Sequence, residues 1–179
     1  MRVRFTIPAV VAAILFGLWL FSRVAVLGDQ TWLELTDTQS GVRIAAQALK
    51  DGEEVILTWR NSLFGLRVKE VFVARRGRLD LTQVTFEDPR GLPPALVRPE
   101  DLDDLYQTGG PFRAEGLSKP FTRIIFRVGE IGDPKLQIGR QVVQLAEHVG
   151  FGGAVLLVAK KTAFFSNPLK SLRSIRNLF

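Results

Sequence analysis

The hydrophobic positions of the chain follow three patterns, and these patterns divide it into three parts. Residues 5–21 form an uncharged apolar run, which residues 24–27 extend. Apolar and polar positions then alternate with a period of two, as is typical of β-strands. Near the end of the chain, apolar residues recur at helical spacing. We therefore predict an N-terminal segment (1–28), a β domain (29–161) and a C-terminal tail (162–179).

The N-terminal segment has the length of a membrane-spanning helix. Its apolar reach of about twenty residues corresponds to roughly 30 Å of helix, the thickness of the hydrocarbon core of a bilayer. Arg2 and Arg4 precede the apolar run, and this Lys/Arg bias predicts an N-terminus inside the cell. We expect an uncleaved single-pass anchor in a bacterial inner membrane, with the following domain on the extracytoplasmic side. A cleaved secretory signal and a buried soluble helix are the alternatives.

Turn signals at short intervals divide the middle of the chain into strands. Residues 53–59, 66–74 and 78–86 are separated by short turns, which predicts an antiparallel meander. Shorter segments of strand character lie on either side of the meander, and Gly139-Arg140 predicts a second hairpin. We predict an all-β fold, a small antiparallel β-sandwich or open barrel of about eight strands, with a short C-terminal amphipathic helix.

Residues 88–120 interrupt this pattern. Pro93-Pro94 disfavours both helix and inner strand, because proline lacks a backbone donor. Residues 99–106 predict a short helix with carboxylates in its first turn. We expect the remainder to be a loop-rich excursion, and a loop of about thirty residues is of the length that often carries function.

Composition excludes several classes of site. The chain has no cysteine, so disulfides, thiolate zinc sites and iron–sulfur clusters are absent. The net charge of +6 suits an acidic partner, and beside a membrane anchor we expect lipid or a membrane protein instead of nucleic acid. We predict no cofactor.

Candidate catalytic and metal-binding residues are few. His148 is the only histidine, and no G-x-S-x-G motif frames a nucleophile. The acidic group of Glu100, Asp101, Asp103 and Asp104 lacks the spacing of a calcium loop, so we interpret it as the start of a helix. We therefore predict that the protein is not an enzyme and that it holds no metal.

The most informative polar residues lie in and around the connection between two predicted strands. Trp59 ends the first strand, Asn61-Ser62 begins the connection, and Glu70 lies within the second strand. If Glu70 shares the core-facing side of its strand, a carboxylate is flanked by apolar neighbours, which is costly without a partner. The alternative is that the opposite face is the core, so that Glu70 faces solvent.

The tail has the pattern of a short basic amphipathic helix. Leu169, Leu172, Ile175 and Leu178 recur at helical spacing. The candidate membrane-surface residues of this tail are Lys170, Arg173, Arg176 and Phe179. The tail is expected either to lie on anionic lipid or a membrane partner, or to be a solvated end, because isolated helices this short are marginal.

Two groups of motifs carry a resemblance to a known family. The first is a strand ending in Trp59, then Asn61-Ser62-Leu63-Phe64-Gly65-Leu66, Glu70, Phe72 and Gly77-x-Leu79-x-Leu81; the second is Arg127-Val128-Gly129-Glu130-Ile131, Leu136 and Val143-x-Leu145. Across residues 55–158 the chain resembles the bacterial family named domain of unknown function 1850, which comprises small membrane-anchored proteins. The family usually has His-Ser where this chain has Asn61-Ser62, and an asparagine amide cannot titrate.

The resemblance implies association with a TRAP-type solute uptake transporter of the TAXI class. We expect a non-catalytic accessory or interaction module that contacts the permease or its solute-binding protein. The candidate interaction residues are Trp59, Asn61, Ser62, Glu70 and Arg127. The alternative function is a freestanding envelope domain that binds a small ligand or lipid in its β core.

Overall fold

The computed structural model describes residues 30–162. The predicted anchor (1–28) and all but the first residue of the predicted tail lie outside this range, together with Lys170, Arg173, Arg176 and Phe179. None of the helices in the described range has the length and hydrophobicity of a membrane span.

Residues 30–162 form eleven strands, one 3-10 turn and two short α-helices. The strands are β1 (Gln30–Asp37), β2 (Arg43–Lys50), β3 (Glu54–Arg60), β4 (Arg67–Arg75), β5 (Arg78–Glu87), β6 (Ala95–Val97), β7 (Phe112–Phe121), β8 (Arg123–Arg127), β9 (Lys135–Ile138), β10 (Gln141–Gln144) and β11 (Ala154–Lys161). The 3-10 turn is Pro99–Asp101, and the helices are α1 (Leu102–Thr108) and α2 (Leu145–Val149).

The strands form two sheets. Sheet I has the order β2-β1-β11-β8, and sheet II has the order β10-β9-β3-β4-β5-β7-β6. The predicted all-β class and the meander β3-β4-β5 are confirmed. The expected count of about eight strands is too low, because the structure has eleven and two of them, β6 and β7, lie in the segment that was expected to be loop-rich. The pairing is antiparallel as predicted, with the exception of β6, which pairs with β7 in parallel.

Alternate residues of the two sheets meet in one hydrophobic core. In sheet I, Leu33, Leu35 and Leu157 are buried. In sheet II, Val55 and Phe72 belong to the same cluster. Because side chains of a strand alternate between faces, this pattern makes one face of each sheet the core face. Burial of these apolar faces is the main stabilising contribution to the fold.

The expectation of a loop-rich excursion over residues 88–120 is wrong. This part of the chain holds β6, the 3-10 turn, α1 and β7, and the predicted short helix is present as the 3-10 turn followed by α1. In β7 the buried residues are Phe112, Ala114 and Leu117. Gly116, with φ of 71°, lies between Ala114 and Leu117, where the alternation of buried residues shifts by one position and the pairing with β5 changes register. The sequence of β7 therefore lacks the continuous period-two alternation that identifies a strand.

A close contact joins the two sheets at the ends of the described chain. The Gly77 N–H, in the turn between β4 and β5, donates to the Thr31 hydroxyl of β1 at 2.9 Å, and both residues are buried. Gly77 has φ of 86°, and a Cβ there would lie 2.8 Å from the Lys161 Cα. Glycine is required at this position both by the backbone conformation and by the lack of space.

Candidate binding site between the sheets

Glu70 lies on the core-facing side of β4. Its neighbours on the same face, Val68 and Phe72, are buried, whereas Glu70 itself is half-buried. On the adjacent strands it lies opposite Leu57 and Val84, which are also buried. The alternative in which Glu70 faces solvent is therefore wrong, and a carboxyl group stands on the apolar face of sheet II.

Two neutral donors satisfy the Glu70 carboxylate. The Tyr106 hydroxyl, brought in by α1, donates to Glu70 Oε1 at 3.2 Å, and the Trp59 side chain donates a second hydrogen bond. Arg67 and Lys69 neighbour Glu70 in sequence, but their odd-numbered positions place them on the other face of β4. The carboxylate is consequently held by hydrogen bonds from uncharged groups.

Burial dominates the electrostatics of this carboxyl group. Loss of hydration raises the pKa of Glu70 above its ordinary value, because the charged form is less stable away from water. The hydrogen bonds from Tyr106 and Trp59 lower the pKa in part, since they favour the charged form. The balance leaves a carboxylate that a proton or a cationic group would stabilise further.

An aromatic cluster fixes the positions of the two donors. The ring of Phe86, which is fully buried, lies 6.3 Å from Trp59 and 5.1 Å from Tyr106, in both cases edge to face. The Phe86 ring also stacks on the ring of Phe112, with 4.5 Å between the centroids. Edge-to-face and offset-stacked pairs of this kind restrict ring orientation and stabilise beyond their buried area. Phe86 therefore orients both groups that hydrogen-bond to Glu70.

Helix α1 supplies a residue that the sequence analysis missed. Leu102 is buried, and Leu105 and Tyr106 pack against the core. These three positions are spaced i, i+3 and i+4, which is one face of a helix. Tyr106 is also the only tyrosine of the chain. That spacing is the signal which could have placed Tyr106 towards the core, although its contact with Glu70 is long-range.

Glu70 opens onto a cleft of about 380 Å³ between the two sheets. We call it the interlayer cleft; its lining residues are Leu57, Trp59, Glu70, Ile124, Ile125, Phe126, Arg127, Gly132 and Pro134. One wall is the core face of β3 and β4, and the other is β8, the edge strand of sheet I. The structure thus brings together three predicted interaction residues, Trp59, Glu70 and Arg127.

Asn61 and Ser62 lie in the connection between β3 and β4 and do not line the cleft. The buried Asn61 side chain accepts hydrogen bonds from the N–H groups of Leu63 at 2.9 Å and Phe64 at 3.0 Å. Ser62 is exposed. The Asn61 amide therefore holds the turn in shape, as asparagine commonly does. This local role accounts for its burial without a ligand.

Two members of the acidic group near α1, Glu100 and Asp101, form ion pairs with a neighbouring arginine. Arg98 lies 3.4 Å from Glu100 and 3.0 Å from Asp101. Among residues 30–162 no cluster of three or more His, Asp or Glu side chains could hold a metal ion. His148 is exposed in the last turn of α2, far along the chain from Glu70.

A second depression, of about 580 Å³, lies at the end of β3. It is lined in part by Arg60, Arg67 and Lys135, with Asp133 among them. Most of its lining residues are charged or polar, so this depression has less apolar surface for a ligand than the interlayer cleft. The interlayer cleft is the better candidate site, because convergent polar groups in an apolar cleft are typical of ligand sites.

No protein-family model, curated protein or solved structure matches the chain. The chemistry of the interlayer cleft is therefore what indicates a function for this domain.

Proposed function

We propose that the domain is a non-catalytic binding module whose interlayer cleft takes a small organic amine. The observation that carries the proposal is a core-facing carboxylate, Glu70, at the inner wall of a cleft whose other lining residues are mostly apolar, with Arg127 as the second charged residue. An ammonium group would pair with Glu70, and its apolar body would lie against the neighbouring aliphatic and aromatic side chains. The two sheets would then act as a β-sandwich that encloses part of its ligand.

The residues around Glu70 support an amine over an acid or a neutral solute. A cation beside Glu70 would offset the desolvation that raises the pKa of this carboxyl group. The indole of Trp59 also lines the cleft, and aromatic rings attract cations. Among the other lining residues, Leu57, Ile124 and Phe126 form an apolar surface that suits a hydrocarbon group.

Thermal unfolding of the full chain in a nonionic detergent tests this proposal. The probes are benzylamine, phenethylamine and isopentylamine, each compared with the alcohol of the same skeleton. We expect the amines to raise the melting temperature and the alcohols to leave it unchanged. Binding should strengthen as the pH rises through the pKa of Glu70, because pairing requires the ionised carboxylate.

Two variants separate the cleft from a general charge effect. Glu70→Gln keeps the size of the side chain and removes its charge, so the shift by amines should disappear. Glu54→Gln removes an exposed carboxylate from β3, outside the cleft, and should leave the shift intact. Equal stabilisation of the wild type and Glu70→Gln by the amines would refute the proposal, as would the same shift with the alcohols.

We propose a second, compatible role as a membrane-anchored accessory module of a TRAP-type (TAXI) transporter, and the arrangement of the chain ends supports the membrane attachment alone. Thr31 of β1 pairs with Lys161 of β11, and the Thr162 N–H donates to the Gln30 carbonyl oxygen at 2.9 Å. The start of β1 and the end of β11 thus lie next to each other. The predicted anchor and the predicted basic tail would therefore join the domain at neighbouring points. This arrangement suits attachment of both ends to one membrane surface. The transporter itself is proposed from the family resemblance.

Purification from the native membrane in mild detergent tests this second role. The tagged full-length chain should bring down a TRAP-type permease or its solute-binding protein. A tagged single-pass protein of unrelated sequence, expressed at the same level, serves as the control. Recovery of the chain without either transporter component, under conditions that keep the transporter intact, would contradict the accessory role and leave the freestanding binding domain.

A further inference from the structure

Strand β8 is an edge of sheet I, and its backbone groups are divided between a paired side and a free side. The Val128 N–H donates to the Gly153 carbonyl oxygen at 2.9 Å, and the Ala159 N–H donates to the Thr122 carbonyl oxygen at 2.9 Å. These bonds show that the backbone N–H and C=O groups of the even-numbered residues of this segment point towards β11. The N–H and C=O groups of Arg123, Ile125 and Arg127 therefore point towards the free edge.

The side chains at the same three positions define the chemistry of this edge. Ile125 is 63% exposed, and an arginine lies two residues away on either side, both exposed. Within residues 30–162 neither Arg123 nor Arg127 forms an ion pair. The free edge of β8 thus combines backbone N–H and C=O groups that pair with no other described strand, one exposed apolar side chain and an arginine on each side of it.

We propose that the free edge of β8 binds an extended acidic segment of a protein partner, which adds to sheet I as an antiparallel strand. The residue opposite Ile125 would exchange backbone hydrogen bonds with it. Side chains two residues before and after that position would lie opposite Arg127 and Arg123, on the same face. The fitting pattern is Glu-x-Val-x-Glu, or an equivalent with Asp and another β-branched residue. Main-chain bonds supply affinity in this mode, and alternate side chains supply specificity.

Charge disfavours the other candidate occupants. In a symmetric antiparallel pair of two β8 strands centred on Ile125, Arg123 of one copy would lie opposite Arg127 of the other. Like charges directly opposite one another are destabilising, so the edge is protected against pairing with itself. Residues 163–179 contain three basic residues and no Asp or Glu, so this segment of the chain is also unsuited.

This inference goes beyond the proposed amine site, although the two are neighbours. Ile125 and Arg127 also line the interlayer cleft, so an added strand would run along its mouth. Inward-facing side chains of the partner would then point towards the cleft. The edge depends on backbone groups and arginines, whereas the amine site depends on Glu70. Variants can therefore separate the failure of one from the failure of the other.

The test uses the full chain in nonionic detergent and a fluorescently labelled peptide, acetyl-Thr-Glu-Thr-Val-Thr-Glu-Thr-amide. The control peptide has lysine in place of both glutamates. We expect fluorescence anisotropy to show binding of the acidic peptide that is stronger on the order of tenfold, because two attractive cross-strand pairs become repulsive in the control. The difference should shrink as salt is added.

Two kinds of variant locate the binding on β8. Ile125→Pro removes an N–H that faces the free edge, and it leaves the bonds from the even-numbered residues to β11 in place. It should abolish peptide binding, whereas Ile125→Thr, which keeps the N–H and the branched side chain, should retain it. In the double variant Arg123→Glu with Arg127→Glu, the preference should switch to the lysine peptide.

Several results would overturn the proposal. One is an unchanged preference for the acidic peptide in the double charge variant, which also decides the matter if Ile125→Pro does not fold. Another is binding that survives in a folded Ile125→Pro chain. A dimer of the full chain that dissociates in Ile125→Pro would identify a second copy as the occupant instead. Loss of amine binding in Glu70→Gln with peptide binding intact would leave this inference standing on its own.

Discussion

Replacement of Tyr106 by phenylalanine removes the hydroxyl that donates to Glu70 Oε1 at 3.2 Å and keeps the ring on Phe86. A hydrogen bond to a charged group contributes about 1.5–3 kcal/mol, and one between neutral groups about 0.5–1.5 kcal/mol. Tyr106→Phe should therefore cost about 1.5–3 kcal/mol in the free energy of unfolding where Glu70 is ionised. Where Glu70 is protonated, the cost should fall to about 1 kcal/mol or less.

The sign of the pH dependence follows from the raised pKa of Glu70. The folded state binds the proton more tightly than the unfolded state, whose carboxyl group titrates near 4.5. The resulting stabilisation is fully present below that pH and is lost as the pH rises through the raised pKa of the folded state. Tyr106→Phe raises that pKa further, so the variant should lose more stability than the wild type between acid and neutral pH.

Denaturant unfolding of the full chain, followed by tryptophan fluorescence at pH 4 and pH 8, measures these costs. The same measurement in the Glu70→Gln background completes a double-mutant cycle. There the cost of Tyr106→Phe should no longer depend on pH, and it should be the smaller, neutral value. Two results would refute the reasoning. One is a cost of Tyr106→Phe that is equal at both pH values in the wild-type background. The other is a cost at pH 8 that is as large in the Glu70→Gln background as in the wild type.

Two further variants test the fold around the site. Gly77→Ala should cost more than about 2 kcal/mol of unfolding free energy, because φ is positive and the new Cβ would meet the backbone of Lys161. Gly91→Ala, also at positive φ but with open space, is the matched control, and an equal cost at both positions in denaturant unfolding would contradict the packing argument. Asp88→Asn should flatten the acid side of the stability curve, because Arg90 lowers the pKa of Asp88. The ionised Asp88 stabilises the fold above pH 3.8, the ordinary pKa of an aspartate, and this stabilisation is lost as the pH falls. Melting temperatures measured between pH 2.5 and pH 6 test this. The same pH dependence in the wild type and in Asp88→Asn would contradict a stabilising Asp88–Arg90 pair.

The strands that the sequence predicts well are those with an unbroken alternation. The meander β3-β4-β5 and the hairpin at Gly139-Arg140 are found within a residue or two of their expected bounds, because the turn residues and the period-two pattern agree. β7 is hidden, because its pattern shifts by one residue near Gly116. β6 is hidden for a different reason: it is only three residues long and pairs in parallel with a strand of that same segment.

The candidate site was predictable only in part. A glutamate two residues from both Val68 and Phe72 indicates a carboxylate among apolar residues. The sequence alone does not show whether this face of the strand points to the core or to solvent. The facing is settled by α1, which covers that end of sheet II and brings Tyr106 to Glu70 across 36 residues of sequence. Arg127 and Trp59 meet at the cleft because β8 crosses to the other sheet. Contacts between sheets leave no local periodicity, so they cannot be read from spacing.

The pairing of β1 with β11 has a consequence for the order in which the domain is completed during synthesis. β1 emerges first and finds β2 at once, but its other neighbour is the last strand of the described chain. Until residue 161 is released, the second edge of β1 is bare, and Leu33 and Leu35 lack part of the core that later covers them. Contacts this distant in sequence slow folding and prolong the exposure of strand edges. A chain interrupted before β11 is therefore expected to aggregate, and the finished domain is sealed by its final strand.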